Sequence, residues 1–147
     1  MTATQETALA SFTAGMNCAQ SVLTTYAEAL SFDAHLAEGI ACGFGGGMGR
    51  MQETCGAVTG AFMAISIANA PKAKNRTEQR NTTYAMVREF SDRFTALHGT
   101  KNCRLLLGVD LTTEEGHAQF AKDKLRETVC CRCIADSVAI LDDLLCT

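Results

Sequence analysis

Tryptophan is absent, proline occurs once (Pro71), and basic residues are outnumbered, with 13 Lys and Arg against 16 Asp and Glu. The net charge of −3 leaves no basic footprint, so nucleic acid is not expected as a partner. Long hydrophobic runs are missing as well. The longest apolar stretch, Gly56 to Ala70, is broken by Thr59, Ser66 and Asn69. It falls short of the ~20 apolar residues that span a bilayer. The N-terminal MTATQETALASFTAGMN has no basic segment followed by an unbroken apolar one, so no signal peptide is expected. These absences predict a cytoplasmic protein with no membrane partner.

Familiar cofactor motifs are also lacking. GFGGGMG does not fit the phosphate-binding GxxxxGK[ST], and no strand precedes it as a dinucleotide fold would require. There is no CxxCH for covalent haem attachment. No Ser-His-Asp or paired-carboxylate arrangement stands out. His35, His98 and His117 are isolated and read as surface or capping residues.

What is present is a 147-residue chain, 47% hydrophobic, with eight cysteines. That length suits a single domain over residues 1–147 with a real core. In a reducing compartment the cysteine count points to metal or redox chemistry rather than a disulfide framework.

The patterning predicts an all-α fold, a multi-helix bundle whose buried central helix follows a glycine-rich loop. A first helix is expected over Gln5 to Ala14, stopped by Gly15. A second, capped by Asn17, carries Val22, Leu23, Tyr26, Ala27 and Leu30 on one stripe. Asp33 caps a short helix through Ile40. The central helix starts between Met51 and Cys55 and runs to Asn69, with apolar residues on several faces. A helix over Thr77 to Leu97 turns Tyr84, Val87, Phe90, Phe94 and Leu97 inward, with Gly99 as C-cap. Asn102 opens a short CRLLL turn, Thr112 with Glu115 forms a capping box for a helix to Glu127, and the last helix begins near Ile134.

Cysteines recur at these predicted helix starts: Cys18 after Asn17, Cys103 after Asn102, Cys55 in the first turn of the central helix, and the cluster 130–133 before the last helix. A helix N-terminus carries unpaired N–H groups and about half a positive charge, both of which favour a thiolate. Glycines let backbone N–H groups approach a sulfur or anion closely, which makes Gly45, Gly46, Gly47 and Gly56 candidate cofactor-binding positions. Cys42 and Cys146 lie on apolar helix faces and read as packing. Only one member of the 130–133 cluster is expected to serve the site.

At these residues the chain resembles the C-GCAxxG-C-C family of small redox-active proteins. The resemblance rests on Asn17-Cys18-Ala19-Gln20-Ser21-Val22, on Gly43-Phe44-Gly45-Gly46-Gly47-Met48-Gly49 and on Thr54-Cys55-Gly56-Ala57-Val58-Thr59-Gly60-Ala61. It continues through Asn102-Cys103-Arg104-Leu105-Leu106-Leu107-Gly108 and a C-terminal cysteine before the Ile134 helix. The central motif runs Cys-Gly-Ala rather than Gly-Cys-Ala. The resemblance matches the family cysteines to Cys18, Cys55, Cys103 and Cys130, with Cys131 and Cys133 as rivals for the last position. The family is similar in turn to the helical part of split-Soret cytochromes, which implies an iron–sulfur cluster.

Three readings follow. The first is a thiolate-ligated redox protein for electron transfer, with Cys18, Cys55, Cys103 and Cys130 as ligands to an iron–sulfur cluster, or to zinc. The second is a metal-free thiol–disulfide oxidoreductase or redox sensor, in which Cys55 attacks and Cys103 or a member of 130–133 resolves. The third is a helical interaction protein that dimerises through Gly56, Gly60 and Ala64. The partner under the first two would be a redox protein or a small thiol.

Overall fold

The computed structural model describes residues 1–146 and is all-helical, as expected. Among these residues the only β-type pairing is one antiparallel bridge, Thr54 with Asn102. The helices are α1 (Ala3–Thr13), α2 (Cys18–Thr25), α3 (Ala34–Ala41), α4 (Gly56–Asn69), α5 (Arg76–His98), α6 (Cys103–Leu107), α7 (Glu114–Lys122) and α8 (Cys131–Leu145).

Helix α4 is the centre. Ten of its fourteen residues are buried, and only a narrow face of Phe62, Met63, Ser66 and Ile67 reaches solvent. Small side chains make this burial workable, because they let α2 lie almost backbone to backbone on it. A Cβ on Gly60 would sit 2.7 Å from the Ala19 carbonyl oxygen, and one on Gly56 would sit 3.0 Å from Cys18 Cβ. The small-residue face predicted as a dimer surface is therefore occupied within the chain, with Gly56, Gly60 and Ala64 all buried. Helices α1, α5 and α8 complete the packing around α2 and α4. Phe90 and Phe94 of α5 stack at 6.1 Å, and Ser137 of α8 donates to the Ala57 carbonyl at 2.7 Å.

The caps fall largely where polar side chains place them. Asn17 forms a capping box with Gln20, and Asn102 accepts from the Leu105 N–H. Gly99 and Gly108 end their helices in the left-handed region at φ 81° and 71°. Four expectations fail. Tyr84 and Leu97 are 55% and 62% exposed, while the buried stripe of α5 runs through Thr83, Phe90 and Phe94. Thr113, not Thr112, caps α7, which ends at Lys122 rather than Glu127. The last helix starts at Cys131, fed by a π-type turn over Arg126–Cys130 instead of a fresh cap at Ile134. Finally, Cys42 and Cys146 are exposed rather than packed.

Candidate functional site

Three local devices bring separate cysteines to one place. The first is Asn17. Besides capping α2, its side-chain amide donates to the Cys42 carbonyl at 3.0 Å, tying the start of α2 to the glycine bend. A Cβ on Gly45 would fall 2.6 Å from that amide, so only glycine leaves room for it. Cys18, the next residue, is thereby fixed against the bend.

The second device is the bridge between Thr54 and Asn102. Cys55 N–H donates to the Lys101 carbonyl at 2.8 Å, and Cys103 N–H donates to the Glu53 carbonyl at 2.7 Å. The two cysteine-bearing helix starts are thus laced together. Buried Gln52 extends the lacing through its side chain, donating to the Val109 carbonyl and accepting from the Leu111 N–H, both at 2.8 Å.

The third is the bend itself. Gly46, Gly47, Met48, Gly49, Arg50 and Gln52 all have φ between 55° and 69°. This is a left-handed run that costs energy at its three non-glycine positions. It is held by N–H bonds from Met48, Arg50, Gln52 and Glu53 to carbonyls of Phe44, Gly45, Gly46 and Gly47. Those four N–H groups are consumed inside the bend. The absent Cβ of Gly47 admits the Cys103 side chain, which would otherwise meet it at 2.6 Å.

The result is a cavity of about 490 Å³ whose wall includes Cys18, Cys55, Cys103, Cys130 and Cys133, with Cys42 among its other lining residues. Gly45, Gly46, Gly47 and Gly56 line it as well. All four cysteines matched to the family cysteines are therefore brought together. Cys133, expected only as a rival to Cys130, lines the cavity together with it, so two members of the 130–133 cluster serve the wall rather than one. The signal was there: Cys130-Cys131-Arg132-Cys133 is a C-x-x-C spacing, and on a helix positions i and i+3 share a face. Cys131 lies off that wall.

The thiols fall into two pairs. Cys18 interacts most strongly with Cys130, and Cys55 with Cys133. Each pair is asymmetric. Cys55 is held below its ordinary range, first by the Cys133 thiol and then by the Ala57 and Val58 N–H groups, which together outweigh burial. Cys133 is pushed well up, first by the Cys55 thiol and then by burial. Cys130 is held down by the Cys18 thiol and, further down the order, by the Arg126 charge. Cys18 is raised by that partner and by burial. Cys103 has no such thiol partner, and burial with the charges of Cys55 and Cys130 pushes it up to about 12.

Two sequence expectations change here. Cys18 and Cys103 sit at helix starts yet are raised, Cys18 first by the Cys130 thiol and then by burial, Cys103 chiefly by burial. Cys130 is not at a free helix start, since the π-type turn runs straight into α8. Cys55, the N-cap residue of α4, is lowered, first by the Cys133 thiol and then by the N–H groups of the helix start. Among the described residues no three His, Cys, Asp or Glu side chains are gathered closely enough to hold a metal ion. None of the described helices is long and apolar enough to cross a membrane.

A family model described as "Putative redox-active protein (C_GCAxxG_C_C)" matches residues 16–144, which includes every cavity cysteine. No curated protein and no solved structure matches the chain.

Proposed function

Because the chain belongs to the C_GCAxxG_C_C family, we propose that its redox activity resides in the cysteine-lined cavity and runs through two dithiols, Cys18/Cys130 and Cys55/Cys133. The observation that supports this is the pairing itself. Each pair sets two interacting thiols from distant parts of the chain on one cavity wall, with Cys130 and Cys55 held below and Cys18 and Cys133 above the ordinary range. Two thiols within reach of one another are what thiol–disulfide exchange requires. Each pair gives up two electrons as its disulfide closes, so the cavity stores four.

The experiment is titration of free thiols before and after mild oxidation, with peptide mapping of the bonds formed. Loss of four thiols, restored by reductant, with Cys18–Cys130 and Cys55–Cys133 as the linked peptides, is the expected result. Scrambled linkages, or thiols inert to oxidant in the folded protein, would refute it.

A second reading has its own support in Cys103, which faces the cavity without joining either pair. Cys18, Cys55, Cys103 and Cys130 would hold an iron–sulfur cluster, whose several irons accept thiolates spread around a space rather than gathered at a point. Such a cluster would supply one-electron transfer. Anaerobic purification decides the matter: iron and sulfide in near-stoichiometric amounts with a brown colour support the cluster, and colourless, metal-free protein eliminates it.

A further inference from the structure

The cavity has a charge pattern that the redox reading does not use. Its wall carries Arg50, His117 and Arg126 and not one Asp or Glu. That is the reverse of the chain as a whole, in which acidic residues outnumber basic ones. Among the described residues the ion pairs join Arg93 to Asp143, His98 to Asp136 and Arg104 to Asp110, and none of them engages Arg50, His117 or Arg126. Arg126 is held in place by apolar and backbone contacts instead. Its guanidinium lies 3.7 Å from the Phe12 ring centroid and donates to the Phe12 carbonyl. A cation fixed by a ring and a neutral carbonyl keeps its charge available to something else.

The remaining wall is largely apolar, with Phe12, Leu106, Leu107, Leu111, Phe120 and Val129. A space of about 490 Å³ that combines an apolar lining with a few converging charges falls within the range of small-molecule sites.

We propose that the cavity binds a small organic disulfide bearing carboxylates, with Arg50 and Arg126 taking the carboxylates and the Cys18/Cys130 pair reducing the S–S bond. This rests on the dithiol reading and names its substrate class. The Cys130 thiolate attacks one sulfur of the ligand, whose S–S bond breaks and releases the first ligand thiolate. Cys18 then gives its proton to that thiolate and attacks Cys130 Sγ. The mixed disulfide breaks, the Cys18–Cys130 bond forms, and the second ligand thiolate leaves to take up a proton from water. Two electrons pass to the ligand, and two protein thiols become one disulfide. Arg126 serves twice, since its charge also helps hold Cys130 as thiolate.

Three disulfides of nearly equal length test the charge requirement: dithiodipropionate (dianionic), bis(2-hydroxyethyl) disulfide (neutral) and cystamine (dicationic). The rate constant for oxidation of the reduced full-length protein should fall in that order. About a tenfold advantage of dianion over neutral is expected at low salt, the size of effect that two partly screened charges give. An Arg50→Gln, Arg126→Gln double variant should bring the first two to within a factor of about two of each other. Equal rates in the wild type, or a faster dication, would overturn the proposal.

A redox-inert dicarboxylate separates this proposal from the reading beneath it. Calorimetric titration with adipate should show saturable binding that the double variant loses. If adipate binds while none of the disulfides oxidises the cavity thiols, the anion site stands and the dithiol reading falls. If the disulfides oxidise the protein at equal rates and adipate does not bind, the dithiol reading stands and the anion site falls.

Discussion

Replacing Gly60 by alanine tests the contact that sets α2 against α4. The added methyl carbon would lie 2.7 Å from the Ala19 carbonyl oxygen, 3.1 Å from Ala19 Cα and 3.2 Å from Val22 Cβ. Two of these atoms are backbone in a fully buried helix turn, so nothing can swing aside and the helices must part. Two effects oppose each other. Alanine in place of a helical glycine gains about 1 kcal/mol of intrinsic propensity. Overpacking a well-filled interior costs about 1–3 kcal/mol, and the upper part of that range applies where backbone is struck. A net loss of about 1–2 kcal/mol follows. For a domain of this size that lowers Tm by roughly 3–8 °C. Gly39 provides the control, being helical with nothing within 4 Å of its would-be Cβ. Gly39→Ala should keep the propensity gain of up to ~1 kcal/mol. Urea denaturation of both variants measures the difference. If Gly60→Ala is as stable as the wild type, the close approach of α2 and α4 is wrong, and with it the account of how Cys18 reaches the cavity.

Three further outcomes are expected. Tyr26→Phe removes a buried hydroxyl that bonds the Asp142 carboxylate at 2.8 Å and the Val138 carbonyl at 3.1 Å, and should cost about 1–3 kcal/mol by chemical denaturation; a neutral substitution would count against this contact. The Asp110 carboxyl is held below its usual range, chiefly by the Thr112 hydroxyl and N–H and then by Arg104. A carboxyl lowered on folding stabilises at pH above its ordinary value of about 4 and loses that contribution as pH falls through its folded value. The stability gap between wild type and Asp110→Asn should therefore close on acidification, and a gap that widens would reverse the sign. Exposed Cys42 and Cys146 should be alkylated in the native protein, whereas Cys133, 1% exposed, should react only on unfolding. Mass spectrometry of the labelled peptides reads this directly, and early labelling of Cys133 would contradict its burial.

Helix ends were legible wherever one side chain decides them. Asn17, Asp33 and Asn102 each accept a backbone N–H of the first turn, and Gly99 and Gly108 each supply a left-handed residue. The sequence alone was weaker where two neighbours compete or where no cap exists. Thr112 and Thr113 are equally good caps by composition. The choice falls to Thr113 because Asp110 binds Thr112, and Thr113 Oγ1 is left to accept the Gly116 N–H at 2.9 Å. Between Arg126 and Cys133 the one residue of capping type, Thr128, donates its hydroxyl back to the Lys124 carbonyl at 3.0 Å, so a continuous π-type entry into α8 has no local signature. That gap hid the register of Cys130 and Cys133, and with it the second thiol pair. The inward stripe of α5 was half right for a related reason: periodicity marks a face but not how much of it the bundle covers.

The placement of thiols at helix starts was legible too, but its meaning was not. A helix dipole favours a charged group by about 0.3–1 kcal/mol, which is less than one pKa unit. Burial can move a thiol several units the other way. The dipole therefore cannot decide which sulfur ionises, and at Cys18 and Cys103 the net shift is upward. What decides is the partner. Cys55 and Cys130 are held below the ordinary thiol range, each first by a second thiol, and Arg126 adds its charge to one of them. The helix starts deliver the cysteines to the cavity, and the glycine bend makes room for them to meet. Reactivity is then set by pairing between residues far apart in the chain: Cys18 with Cys130 and Cys55 with Cys133. No single-position rule applied to one helix could have anticipated it.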